Sequence, residues 1–155
     1  MSFSILILSM ALIFNSIDLN KKELNRPISE IVIAENFNHC DWNILLQKYV
    51  SEKGNVNYRA FKKDELKLTS YLNLLSNNYP SETWSNDKKM AYWINAYNAF
   101  TIQLIIENYP ISSIKDIKNP WSIEFINLGD KTFSLNEIEH EILRKMNDPR
   151  IHFGI

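Results

Sequence analysis

A chain of 155 residues with a net charge of −1 has room for one domain and a real core. Its 23% charged and 12% aromatic residues exclude a disordered polypeptide, and the absence of a basic stripe excludes nucleic acid as an expected partner. A single cysteine, Cys40, excludes an internal disulfide and any multi-cysteine zinc site.

Residues 3–14 are almost continuously apolar. They are too short to cross a bilayer but suit the apolar core of a signal peptide. No Lys or Arg precedes them and no small-x-small cleavage site follows, so an uncleaved anchor or a core helix are the alternatives. Residues 1–20 are expected to be a signal peptide or N-terminal anchor, and the protein is expected to be extracytoplasmic. Membrane contact would come only through that anchor. Residues 21–36 carry charge, Pro27 and no apolar period, and read as a linker. Residues 37–155 are expected to form one globular domain.

Within it, Trp42, Leu45, Leu46 and Tyr49 recur at helical spacing, with Asp41 favouring the helix start and Gly54 closing the element. Asn55 to Tyr58 is a short extended or turn piece. A second helix places Leu66, Tyr71, Leu72, Leu74 and Leu75 on its apolar side and stops at Asn77-Asn78-Tyr79-Pro80.

The next segment, about 86–108, is apolar on every side. Ser85 can cap it, Asp87 suits its first turn, and Pro110 cannot continue it. A helix apolar all round is buried or spans a membrane, and Asn95, Asn98 and Gln103 make this one too polar to span. It is expected to be the buried central helix. After an irregular stretch, residues 121–128 read as a strand, Gly129-Asp130 as a turn and residues 131–133 as a returning strand. The fold class is therefore α+β, predominantly helical, with a small antiparallel β element near 121–133.

Ser134-Leu135-Asn136-Glu137 has the form of a capping box, opening a helix to about Met146. Residues 150–155 read as the start of a buried strand, and a domain that stops there is expected to be incomplete.

On an α-helical wheel, Leu135, Ile138, Ile142, Leu143 and Met146 form one apolar arc. Glu139 falls inside it, His140 lies about 100° away and Arg144 lies opposite. A carboxylate on a buried face is either paired structurally or is a general acid, base or orienter of a histidine. Asn95 and Asn98 either tie loop backbone to the central helix or recognise a substrate. His39, His140 and His152 fit no metal spacing, so neither a metal nor a cofactor is expected. In a strand of residues 150–155, His152 is either a core histidine or a base. No glycine-rich phosphate loop and no Gly-x-Ser-x-Gly elbow occurs.

The run Lys89-Met90-Ala91-Tyr92-Trp93-Ile94-Asn95-Ala96-Tyr97-Asn98-Ala99-Phe100-Thr101-Ile102 resembles the domain of unknown function family 547. Trp84-Ser85, Tyr109-Pro110, Ser113-Ile114, Asp116-Ile117, the stretch from Ser134 to Arg144 and Pro149-Arg150-Ile151-His152-Phe153 carry the same resemblance. Upstream, Tyr49-Val50, Gly54-Asn55-Val56-Asn57-Tyr58 and Phe61 resemble the segment that often precedes that domain in bacterial members. The resemblance covers residues 37–155, in order. It implies an exported protein, and a family strand at His152-Phe153 that continues into a cysteine-containing segment. Gly154 stands where the family commonly has alanine. If that downstream cysteine is the family's nucleophile, the resemblance implies that this chain is expected to lack it, and Cys40, outside the matching position, is no substitute.

Two functions follow as expectations. The first is a truncated, catalytically incomplete thiol-dependent hydrolase or acyl-transfer domain, with Glu139, His140 and His152 as catalytic candidates and Asn95 and Asn98 as substrate-binding candidates. The second is a non-catalytic extracytoplasmic module that binds a peptide, glycan or protein partner.

Overall fold

The computed structural model describes residues 37–155. The expected export segment and linker lie outside the described residues. Helix α1, Cys40–Tyr49, buries Trp42, Leu45 and Tyr49 and leaves Leu46 half-buried. A turn follows in which Gly54 takes φ +79°, a left-handed conformation that favours glycine, and Val56 bridges back to Val50. Asn57 caps α2, Tyr58–Phe61, by accepting a hydrogen bond from Ala60 N at 3.1 Å.

A tight turn, Lys62–Asp64, leads into α3, Glu65–Asn77. Leu68, Tyr71, Leu72 and Leu75 are its buried residues, spaced i, i+3, i+4, i+7. Leu66, expected on that face, is 84% exposed. It sits two residues before Leu68, about 200° round the helix, and so points to solvent.

Helix α4, Asn86–Glu107, is the central element. Ser85 accepts a hydrogen bond from Lys88 N at 3.2 Å and fixes its start. Tyr92, Ala96, Ala99 and Ile106 are fully buried, and the two alanines let neighbouring elements approach closely. Helices α2 and α3 and the segment after residue 136 all pack on it. Tyr92 donates its hydroxyl to Leu75 O at 2.9 Å, which ties α4 to α3 inside the core. Lys62 Nζ donates to Ile106 O at 2.8 Å, adding a side-chain donor to a carbonyl in the last turn of α4. No helix among the described residues is long and apolar enough to cross a membrane.

Strands β1, Ile126–Leu128, and β2, Lys131–Phe133, pair antiparallel with Ile126 opposite Phe133. The turn between them holds Gly129 at φ +59°. The expected strand from residue 121 is shorter than the sequence reading. Its returning partner is only three residues long, and residues 121–125 form turn and irregular backbone instead.

Ser134 and Glu137 form the capping box. Ser134 Oγ accepts from Glu137 N at 3.2 Å, and the Glu137 carboxylate accepts from Ser134 N at 2.7 Å. The helix they open winds wide, as a π-helix over Glu137–Leu143, then tightens over Arg144–Met146. Asn147, at φ 54°, ends it in a left-handed conformation.

The expected strand at 150–155 is a helical turn, α5, Ile151–Gly154. Asp148 causes this. Its Oδ1 accepts from Arg150 N at 2.9 Å and its backbone carbonyl accepts from Ile151 N at 3.2 Å, so the chain bends before it can extend. Ile151 is buried, His152 is exposed and Phe153 is 92% exposed.

Candidate functional site

The π-helical winding determines the surroundings of Glu139. In a π-helix the backbone bond spans five residues, and Arg144 N donates to Glu139 O. Residues five apart therefore return to one face. Arg144, placed opposite Glu139 on an α-helical wheel, instead lies over it. Arg144 donates to Glu139 Oε1 through Nε at 3.1 Å and through Nη2. From α4, Tyr97 donates its hydroxyl to Glu139 Oε2 at 3.3 Å. Burial first, and then the Glu139 carboxylate, push the Tyr97 phenol up to about 12, so it holds its proton and remains a donor at neutral pH.

The side chain of Glu139 is 17% exposed and that of Arg144 is 42% exposed. The acid thus sits against the domain while the cation reaches the surface. His140 Nε2 lies 3.9 Å from Glu139 Oε1, beyond hydrogen-bond distance, and its ring is half exposed. His152, on α5, lines a cavity of about 350 Å³ together with Arg144, Asn147, Asp148, Pro149 and Ile151.

Asn98 Nδ2 donates to Gly154 O at 2.7 Å, so this amide ties α5 to the central helix. Asn95 is half-buried, and no hydrogen bond engages its side chain among the described residues. Arg150 clamps the same region from the other side. It donates to both oxygens of Asp148 and, through Nη2 at 2.7 Å, to Asp87 in the first turn of α4. Those bonds, the Arg150 side chain first and its backbone N–H next, hold the Asp148 carboxyl down to about 2.

The structure therefore brings Glu139, Tyr97 and Arg144 into one buried-to-surface relay, with His140 at its edge and His152 across a cavity that Arg144 shares. Tyr97 and Arg144 escaped the sequence reading. Tyr97 is one aromatic among many in an apolar helix, and the position of Arg144 depends on a helix winding that residue spacing does not announce. A glutamate inside an apolar arc was the one usable signal. Among the described residues no cluster of three or more His, Cys, Asp or Glu could hold a metal ion. The exposed thiol of Cys40 stands at the start of α1, and no hydrogen bond or ion pair joins it to His140 or His152.

These features define a predominantly helical α+β domain built round one buried helix, with a charged latch fastening its last turns to that helix. Residues 81–155 match the family model described as "Protein of unknown function, DUF547", and this part of the chain is a domain of that family. The match starts ahead of α4 and runs through the hairpin, the π-helical segment and α5, whereas α1 to α3 precede it. No curated protein and no solved structure matches the chain.

Proposed function

We propose that this protein is an exported recognition module whose binding surface is the cavity between the π-helical segment and α5. One observation carries this reading: the carboxylate that would orient a catalytic base is already engaged. Glu139 gives its oxygens to Tyr97 and Arg144, while His140 stands 3.9 Å away without a hydrogen bond to it. A base needs an orienting partner and a nucleophile within hydrogen-bond reach, and neither His140 nor His152 has either among the described residues. The apolar run at 3–14 supports export.

Hydrolysis of p-nitrophenyl acetate and of a simple alkyl thioester tests the first part. The full chain is expected to give no turnover above buffer. Turnover that disappears in His140→Gln or His152→Gln overturns the reading. Fractionation of the native host with mass spectrometry tests the second part, and an intact cytoplasmic species beginning at Met1 overturns export.

A second reading is a thiol-dependent hydrolase or acyl-transfer domain, with His140 or His152 as base. The nearness of His140 to Glu139 favours it, because a small ring rotation would bring imidazole and carboxylate into contact. It requires a cysteine nucleophile other than Cys40. Its signature in the same assay is turnover blocked by a thiol alkylating agent.

A further inference from the structure

We propose that the cavity shared by Arg144 and His152 binds a carboxylate, of the kind that ends a peptide. The inference rests on the recognition reading and names the ligand class of that site. Arg144 has five N–H donors in a rigid plane. Its Nε and Nη2 on one edge are taken by Glu139 Oε1. The end-on fork, formed by Nη1 and the outer N–H of Nη2, is left. Arg144 lines the cavity and Glu139 does not, which leaves this fork as the donor pair available to a guest. Two parallel N–H donors match the two oxygens of a carboxylate.

The rest of the wall agrees. His152 and Asn147 line the same cavity, and no hydrogen bond engages the side chain of either among the described residues. Asp148, the one acid of the wall, is occupied. Its Oδ1 accepts from Arg150 N and Nε, both at 2.9 Å, and its Oδ2 accepts from Arg150 Nη2 at 2.6 Å. A guest therefore meets donors. Pro149 and Ile151 add a small apolar wall, suited to the side chain beside a terminal carboxylate.

Charge decides between carboxylate and phosphate. Arg144 is balanced by Glu139, and Arg150 is more than balanced by Asp148 and Asp87. No net positive field remains to hold a doubly charged anion. Recognition comes from the directed fork, so binding is selective for geometry and weak, with an expected dissociation constant on the order of millimolar. Glu139 and Tyr97 are positioning residues: Glu139 holds the guanidinium plane, Tyr97 holds Glu139, and neither lines the cavity.

The test uses the full chain and N-acetylalanine as the probe, followed by NMR of the Arg144 Nε–H and the His152 ring. N-acetylalaninamide and sodium phosphate serve as comparisons. Saturable shifts at both residues with N-acetylalanine, and binding of the amide at least about tenfold weaker, are expected. Arg144→Lys keeps a cation beside Glu139 but loses the fork, and should weaken binding about tenfold. His152→Gln lies on an exposed turn, so it should weaken binding about threefold and leave the unfolding midpoint unchanged. Equal response to acid and amide, phosphate binding tighter than N-acetylalanine, or wild-type binding by Arg144→Lys each overturn the proposal. Ester turnover with intact carboxylate binding would remove only the recognition reading; no turnover and no shift would remove only the carboxylate.

Discussion

Glu139 shows how one side chain can be placed by winding rather than by spacing. Its carboxylate faces the domain, and its charge is answered by Arg144 and by the hydroxyl of Tyr97. Replacing it with Gln leaves the shape and removes the charge. Arg144 then loses its partner and Tyr97 donates to a neutral oxygen. We expect Glu139→Gln to lower stability by about 1–3 kcal/mol, the range for a hydrogen-bonded charged group, read from the shift in a urea midpoint. A midpoint within error of the wild type would show that the pair contributes nothing measurable.

His39 is a second residue whose surroundings outweigh its intrinsic chemistry. Its Nδ1 shares a 2.7 Å hydrogen bond with the Tyr71 hydroxyl, and Phe37 lies edge-on to it at 5.0 Å. Burial, and then the Lys88 charge, hold the imidazole below its usual 6.5. The unfolded chain therefore takes up a proton first as pH falls. The His39 contribution is complete above about pH 6.5, declines as pH drops from there through the folded value, and is level below it. Urea midpoints measured from pH 8 to pH 5 should fall across this window, and His39→Gln should remove that part of the slope. A slope unchanged by His39→Gln would assign the pH dependence elsewhere.

At the scale of elements, local signals and distant ones separate. The capping box at Ser134 and Glu137 was legible because both partners lie within one turn and need nothing else. The same holds for Ser85 at the head of α4 and for the glycine turn between β1 and β2. The π-helical winding was not legible, because Glu137–Leu143 reads as an ordinary amphipathic helix at the level of apolar spacing. Nor was the helical turn of residues 151–154, since Ile151, Phe153 and Ile155 alternate as in a half-buried strand until Asp148 is seen bonding Arg150 N. Glu139 was visible as anomalous, while Tyr97 and Arg144 became visible only through contacts 42 and five residues away in sequence.

The same paired cap makes a prediction for its element. Ser134 is buried, accepts from Glu137 N and donates its hydroxyl to the Glu137 carboxylate. Ser134→Ala should cost about 1 kcal/mol, the usual loss of an N-cap. Amide exchange gives a sharper reading: protection should fall at the start of the helix and hold across the middle of α4. Uniform loss of protection would mean that the cap supports the whole domain rather than its own helix.

The whole molecule is organised by α4, and Trp93 is where its three sides meet. The indole is 5% exposed. Tyr79 from the loop after α3 meets it edge-on at 5.7 Å, Tyr92 meets it at 5.2 Å, and Phe133 from β2 meets it at 5.6 Å. Each of these aromatic pairs adds something beyond area burial, and the Phe133 pair fastens the hairpin to the helix. Truncating Trp93 to Ala removes them and leaves a cavity that the packed alanines nearby cannot fill. The expected cost is about 3–5 kcal/mol. A domain of this size has about 5–15 kcal/mol in all, so Trp93→Ala should sit near the edge of folding at 37 °C. Leu66→Ala is the matched control. Leu66 is equally apolar but stands in solvent, so its truncation should move the denaturation midpoint by no more than about 0.5 kcal/mol equivalent. If the two variants unfold alike, α4 is not the organising core of this domain. If they separate as argued, loss of the Arg144 cavity on unfolding should track Trp93→Ala and be indifferent to Leu66→Ala, because α4 holds the turn that lines it through Asn98 and Asp87.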